Sequence, residues 1–279
     1  MTLILPQMSI DWLYPLTGVL YLLVAWHFWR TRWHGVAKVA AWEPYALLLP
    51  LLLHLLLLRL TISTPEGLEL GVGNATSMVV GLTVVVYWLA SFHMRMEALH
   101  APLALIAALA VGFSWLLPAE HLVADSGTLI FRLHLLIALL AYSLFTIAAL
   151  HASLMSVVEK RLHHIDPQQA GLNFPPLLTL ENVLFRLVGA GFALLTLTLV
   201  TGVLFSEQLF HKPVELNHKT VFAVLSWLVY ALLLSGRKLW GWRGRVAVRW
   251  TWLGFVMLLL AYLGTHFVME VILHRTGGE

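Results

Sequence analysis

Fourteen histidines occur in this chain of 279 residues, and four of them, His134, His218, His266 and His274, fall at or near the ends of three long apolar runs. An imidazole is costly in lipid without a polar partner, and it is also the usual axial ligand of haem iron. If the runs cross a membrane in alternation, all four histidines reach one face. His266, Glu270 and His274 stand at i, i+4 and i+8, so they share one stripe of a helix. A carboxylate one turn from an imidazole can accept its ring N–H, fix its tautomer and raise its basicity as a ligand. Two such imidazoles from separate helices could clamp an iron porphyrin edge-on near that face. The plainer alternative is an interfacial histidine with one wet end, and the residues alone leave both open.

The elements that must position these groups are set by composition. The chain is 60% hydrophobic and only 11% charged, with a mean hydropathy of +0.84. Soluble domains carry about a quarter charged residues, so the bilayer has to be the solvent here. A span needs roughly 20 apolar residues. Eight runs qualify, at about 9–29, 41–60, 72–93, 98–117, 128–157, 181–206, 218–236 and 247–273. Breakers such as Ser63–Thr64–Pro65–Glu66–Gly67, Asp125–Ser126–Gly127 and Lys212–Pro213 separate them. The expected architecture is all-α, a single membrane domain over 1–279 built as a bundle of eight transmembrane helices.

Positive charge orients the bundle. With both termini outside, the inner loops and helix ends hold Arg30, Arg32, Lys38, Arg95, Lys160, Arg161, Arg186, Arg237, Lys238, Arg243, Arg245 and Arg249, against Arg59, Arg132, Lys212, Lys219 and Arg275 outside. Twelve against five follows the positive-inside bias. Trp26, Trp29, Trp33, Trp240, Trp242, Trp250 and Trp252 crowd the inner boundary, and Trp12, Tyr14 and Trp115 serve the outer one. The net charge of +3 comes from these short turns, so no nucleic-acid partner is expected. The first run lacks a preceding basic region and is expected to be a retained span. Cysteine is absent, which excludes thiolate metal sites and covalent haem attachment to this chain.

The remaining histidines read as follows. His54, flanked by leucines in the second run, is either bonded to a neighbouring helix or functional. His93 with Glu97, and His151, are weaker candidates for an inner site. His27, His34 and His100 also lie on the inner side. His163–His164 belong to a basic loop and His211 to a short outer loop. His134 and His151 are 17 residues apart on one run, roughly 25 Å of helix. The last run offers only the outer pair His266 and His274, roughly 12 Å apart by the same rise, so a two-haem wire across the membrane does not fit. Gly189 and Gly191 read as helix-packing devices. There is no phosphate loop, no His-Glu-x-x-His and no activated nucleophile, so no enzyme activity is expected.

From about residue 128 onward the chain resembles the cytochrome c assembly family of integral membrane proteins, the CcsA/CcmC-like group, and within it the eight-span YpjD/HemX-like branch. The likeness rests on Arg132-Leu-His134 through Tyr142, on Leu180-Glu181-Asn182-Val-Leu-Phe-Arg186-Leu-Val-Gly189-Ala-Gly191-Phe192, on His218-Lys219-Thr220 with Leu225-Ser226-Trp227-Leu228-Val229-Tyr230, and on Ala261-Tyr262-Leu263-Gly264 through His274. Gly73-Asn74-Ala75-Thr76-Ser77 is faintly similar to an earlier family helix. The resemblance makes 128–274 the family-like core. It implies non-covalent, b-type haem, held for delivery to apocytochrome c by two outward histidines that carry over onto His134 and His274 as axial iron ligands. It also implies a multi-pass protein of the bacterial inner membrane, with haem and other assembly or membrane proteins as partners.

Two features depart from the family pattern. The outer loop before the seventh run, Glu207 to Lys219, has no tryptophan, where the family carries a tryptophan-rich loop. Ser235 stands where several relatives have a histidine. A second reading is therefore kept: a haem-free transport or accessory protein on the same bundle, moving an ion or small solute past His54, Glu270 and the outer histidines.

Overall fold

The computed structural model describes residues 10–33, 40–64, 67–93, 97–117, 122–123, 128–164, 176–204 and 218–261. Among them are eight α-helices: α1 Leu13–Phe28, α2 Leu48–Ile62, α3 Val72–Ser91, α4 His100–Leu116, α5 Leu129–His164, α6 Leu177–Leu204, α7 His218–Trp240 and α8 Gly244–Leu259. Six helical segments are long and apolar enough to cross a membrane: Glu43–Ile62, Val72–Ser91, Glu97–Leu116, Leu129–Lys160, Leu177–Leu204 and His218–Trp240. In hydrocarbon only a helix pairs its own backbone within one segment, and this chain is an all-α polytopic membrane protein.

Three local features were not expected from the apolar runs. α1 continues into a π-helical turn, Trp29–Trp33. Short 3-10 turns, Glu43–Tyr45 and Glu97–Leu99, precede α2 and α4. The breaker after α2 is a small antiparallel sheet of β1 (Ser63–Thr64), β2 (Gly67–Glu69) and β3 (Leu122–Val123), ordered β1-β2-β3. α5 also outruns its apolar stretch. Its 36 residues give a helix of about 54 Å, against about 30 Å of hydrocarbon.

The described residues divide into two compact units, one up to Val123 and the other from Thr128 to Ala261. In the first, α1 packs on α2 and α4, and α3 packs on the same two helices, closing a four-helix ring. The α1–α4 seam is close because α4 offers small side chains: Ala101, Ala104, Ala107, Ala108 and Ala110 are all buried. In the second unit α5 packs on α6 and α8, and α7 on the same two, closing a second ring in the same sequential order.

The middle of the second unit is an aromatic pair held between glycines. Phe145 of α5 and Tyr230 of α7 stack with centroids 3.9 Å apart and planes 12° from parallel. A Cβ at Gly191 of α6 would lie 3.0 Å from the Phe145 ring, and one at Gly254 of α8 would lie 2.7 Å from Tyr230 Cζ. All four helices therefore meet at one layer. Backbone carbonyls of α8 accept from the layer's hydroxyls: Ser226 Oγ donates to Gly254 at 2.9 Å, Tyr230 to Thr251 at 3.3 Å and Tyr142 to Leu258 at 3.0 Å. Of the two glycines read as packing devices, Gly191 has that role, while an added Cβ at Gly189 would meet nothing within 4 Å. Gly254→Ala is expected to cost about 1–3 kcal/mol by overpacking against a ring that cannot yield. Thermal unfolding in detergent checks this, with Gly189→Ala near wild type as the control.

Candidate functional site

His134 lies in the second turn of α5, half-buried. Its Nδ1 is 2.9 Å from Thr201 Oγ1, near the end of α6. The same hydroxyl oxygen is 2.8 Å from the Leu197 carbonyl and 3.1 Å from that of Thr198. The Cε1 edge of the ring lies over Gly202, where an added Cβ would touch it at 3.5 Å. The chain neighbours Leu133 and Val200, with Leu197 one turn below, present exposed apolar side chains. This end of the second unit thus holds an imidazole anchored on Thr201 and lying over Gly202. Thr201 carried no signal in the sequence, since a threonine in an apolar helix ordinarily bonds only its own i−4 carbonyl.

His218 is the first residue of α7 and is exposed. His266, Glu270 and His274 lie outside the described residues. The structure therefore brings His134 together with Thr201 and Gly202, and the second imidazole of the expected pair falls beyond the described chain. Among the described residues no group of three or more His, Cys, Asp or Glu side chains gathers to hold a metal ion.

The other described histidines mostly serve the fold. His151, on α5 as well, is fully buried, and its Nε2–H donates to the Leu180 carbonyl at 2.8 Å. Its Nδ1 has no partner among the described residues. His54 is fully buried in the first unit between Tyr21 OH, 3.3 Å from Nδ1, and Ser77 Oγ, 2.8 Å from Nε2. It bonds neighbouring helices through both nitrogens, the structural half of the expectation for it. His100 stacks on Phe28 at 4.4 Å, with Nδ1 2.7 Å from Tyr87 OH and 3.1 Å from the Glu97 carbonyl.

His93 is exposed and does not join Glu97, whose carboxylate lies 3.4 Å from Arg32 Nε instead. Arg32 also pairs with the buried Glu43, which accepts from His27 Nε2 at 3.2 Å. This buried ionic cluster of the first unit depends on the π-helical turn after α1, which carries Arg32. The apolar runs gave no sign of it.

At the end of the second unit opposite His134, the α7–α8 turn is built from basic and aromatic residues. The Trp242 ring sits on Gly236, where an added Cβ would be 2.3 Å away, and stacks on Trp250 at 5.3 Å. Gly241 and Gly244 take φ of 66° and 53°, so the turn requires residues without a Cβ penalty there. Arg237 lies over Phe185 at 3.8 Å and donates to Asn182 at 3.0 Å, Arg245 donates to Glu159 at 2.8 Å, and Arg243 is 3.8 Å from Glu181. Arg237 through Asn182, and Arg243 through Glu181, thus join the Leu180-Glu181-Asn182 segment to the α7–α8 turn.

Comparisons with known proteins identify the family. The cytochrome C assembly protein family matches residues 41–273, beginning well ahead of residue 128 and so taking in α2 to α4 as well. The inner membrane protein YpjD of Escherichia coli is 36% identical over 154 residues, 54% of this chain and 56% of that protein. The cytochrome c biogenesis protein CcsA of Guillardia theta is 29% identical over 151 residues, 49% of this chain and 50% of that one. CcsA of Rippkaea orientalis is 30% identical over 115 residues, 38% of this chain and 34% of that protein. The chain spans about half the length of the curated relatives it matches. No solved structure matches. With five-sixths of its length inside the family match, the chain belongs to the cytochrome C assembly protein family.

Proposed function

We propose that this protein binds and handles haem in cytochrome c biogenesis, as a multi-pass protein of the bacterial inner membrane that acts by ligation and not by covalent catalysis. The observation that carries this reading is the anchored imidazole of His134, half-buried at the end of α5 with its Nδ1 on Thr201. Membership of the cytochrome C assembly protein family and the CcsA relatives support the same reading. His134 and His274 would be the axial ligands of b-type haem, with His218, His266 and Glu270 at the same rim.

The residues present fit such a group. A ligating histidine wants its other ring nitrogen tied to an acceptor, and a porphyrin wants an apolar wall. The Thr201 bond offers the first, and the exposed leucines and valine of the same helix ends, Leu133, Leu197 and Val200, are apolar side chains close in sequence for the second. Bound haem would supply the iron chemistry, while the chain supplies ligands, orientation and dryness.

Eight transmembrane helices with both termini outside complete the proposal. α1 with its π turn is 21 residues from Leu13 to Trp33, about 30 Å long. Exposed Trp12 and Trp115 lie toward one end of their helices, and exposed Trp26, Trp29 and Trp42 toward the other, the spacing of two interfacial belts.

The test is an absorption spectrum of detergent-purified protein, before and after added haemin. A Soret band of histidine-ligated haem is expected; no band even after haemin defeats the reading. The tryptophan-free loop before α7 and Ser235 favour a second reading, a haem-free ion or solute carrier. Uptake of a solute into proteoliposomes by haem-free protein would select it.

A further inference from the structure

We infer that the α6–α7 seam, at the end of the second unit opposite His134, binds the phosphate headgroup of an anionic phospholipid through Arg186 and Arg237. The described residues of this unit hold two carboxylates, Glu159 and Glu181. Both are engaged: Glu159 accepts from Arg245 at 2.8 Å, and Glu181 faces Arg243 at 3.8 Å. Lys160, Arg186, Arg237, Lys238 and Arg249, at the same end, are left without an acid among the described residues. Arg237 is the fixed member of this group. Its guanidinium lies over the Phe185 ring at 3.8 Å, and its Nη2 donates to the Asn182 side-chain oxygen at 3.0 Å. Both partners are neutral, so they hold the group in place without cancelling its charge. Its Nη1 is enclosed and has no hydrogen-bond partner among the described residues.

Arg186 adds a second charge at the same turn. It follows Phe185 directly and stands four residues after Asn182, on one face of α6, and it is exposed. Two guanidiniums gathered there concentrate positive potential, and their planar N–H forks match the oxygens of a phosphate. The surface around the pair makes that phosphate a lipid's. Beyond Arg186 the exposed stripe of α6 continues as Ala190, Ala193 and Leu197, an apolar track along which an acyl chain can lie. At the end of α7, Lys238 is followed by Leu239 and Trp240, 71% and 62% exposed, apolar side chains that suit the headgroup boundary. A soluble anion needs the charge alone. A basic site between spanning helices that opens onto apolar surface suits an anionic head with its tail attached.

The site is independent of the haem reading, and haem-free protein tests it. Delipidated protein in neutral detergent is titrated with phosphatidylglycerol and, separately, with phosphatidylcholine of the same acyl chains, bound lipid being counted by native mass spectrometry. Phosphatidylglycerol is expected to bind in preference, and a competition assay in detergent should show that preference shrinking as salt rises. Arg186→Gln and Arg237→Gln should each weaken it about fivefold, the worth of one cation beside an anionic headgroup. Arg237→Lys, which keeps the charge and loses the fork, should fall between wild type and Arg237→Gln. Arg59→Gln, at an exposed position of the first unit, should leave binding unchanged. Because Arg186 is exposed, its variant decides the matter even where Arg237→Gln fails to fold. Equal binding of the two lipids, or phosphatidylglycerol binding unchanged in Arg186→Gln, overturns the inference. Inorganic phosphate that displaces the lipid at a comparable concentration also overturns it, assigning the pair to a soluble anion.

Discussion

His134→Ala is expected to remove the histidine-ligated Soret band, with haemin affinity falling at least about 100-fold, while His151→Ala leaves the band in place and lowers thermal stability. The two residues share α5 and differ in surroundings. His134 is half-buried at a helix end beside exposed apolar side chains, with its Nδ1 on a hydroxyl. His151 is fully buried and holds the Leu180 carbonyl of α6. Loss of a partner that merely orients a ligand costs roughly 10–100-fold in metal affinity, so loss of the ligand itself should exceed that range. Truncating His151 instead removes a buried interhelical hydrogen bond, worth about 0.5–1.5 kcal/mol, and adds the cost of the cavity left behind. Haemin titration followed at the Soret band, together with thermal unfolding of the same variants, separates the two roles. A band that survives in His134→Ala but vanishes in His151→Ala would reverse the assignment.

How much of this was legible beforehand follows from what each signal measures. The helices were legible because a run of about 20 apolar residues without charge has few folds open to it in lipid. Their ends were less so. Apolarity reports hydrocarbon thickness, not helix propensity, and α5 runs on through Val158, Glu159 and Lys160 because Glu and Lys are good helix formers that lie past the lipid. The β1–β2–β3 sheet was hidden for a different reason: two of its strands are only two residues long, and β3 is separated from β2 by α3 and α4. At the candidate site, His134 could be picked out by type and position. Thr201 could not, because the contact that matters joins two helices across 67 residues. The same holds for Arg32, Glu43 and Glu97. Arg32 counted only as an inner positive charge, Glu97 was set with His93, and Glu43 carried no signal inside the second apolar run; the π turn and the two 3-10 turns bring them together.

Those three residues carry the largest stability effect expected in the first unit. Glu43 is 4% exposed and faces the Arg32 guanidinium and the His27 ring, while the Arg32 side chain is itself only 7% exposed. Glu43→Ala would take the buried carboxylate away from that guanidinium, and Glu97, at 3.4 Å, is 48% exposed. Removing one partner of a buried ion pair costs about 3–5 kcal/mol, because the surviving charge has lost its water and gained nothing. At roughly 2–4 °C per kcal/mol for a protein above 150 residues, the midpoint of thermal unfolding in detergent should drop by about 10 °C. Glu97→Gln removes a solvent-screened partner and should cost within about 1 kcal/mol. The decisive comparison is the double replacement Arg32→Met with Glu43→Leu. A buried pair gains little net energy over a well-packed apolar one, since desolvation consumes most of the attraction, so the double variant should recover most of what Glu43→Ala loses. If Glu43→Ala melts with wild-type protein, the pair is solvated and the cluster does not hold α1, α2 and α4 together. If the double variant melts as low as the single one, the charges themselves, and not the stranded guanidinium, are what the first unit needs.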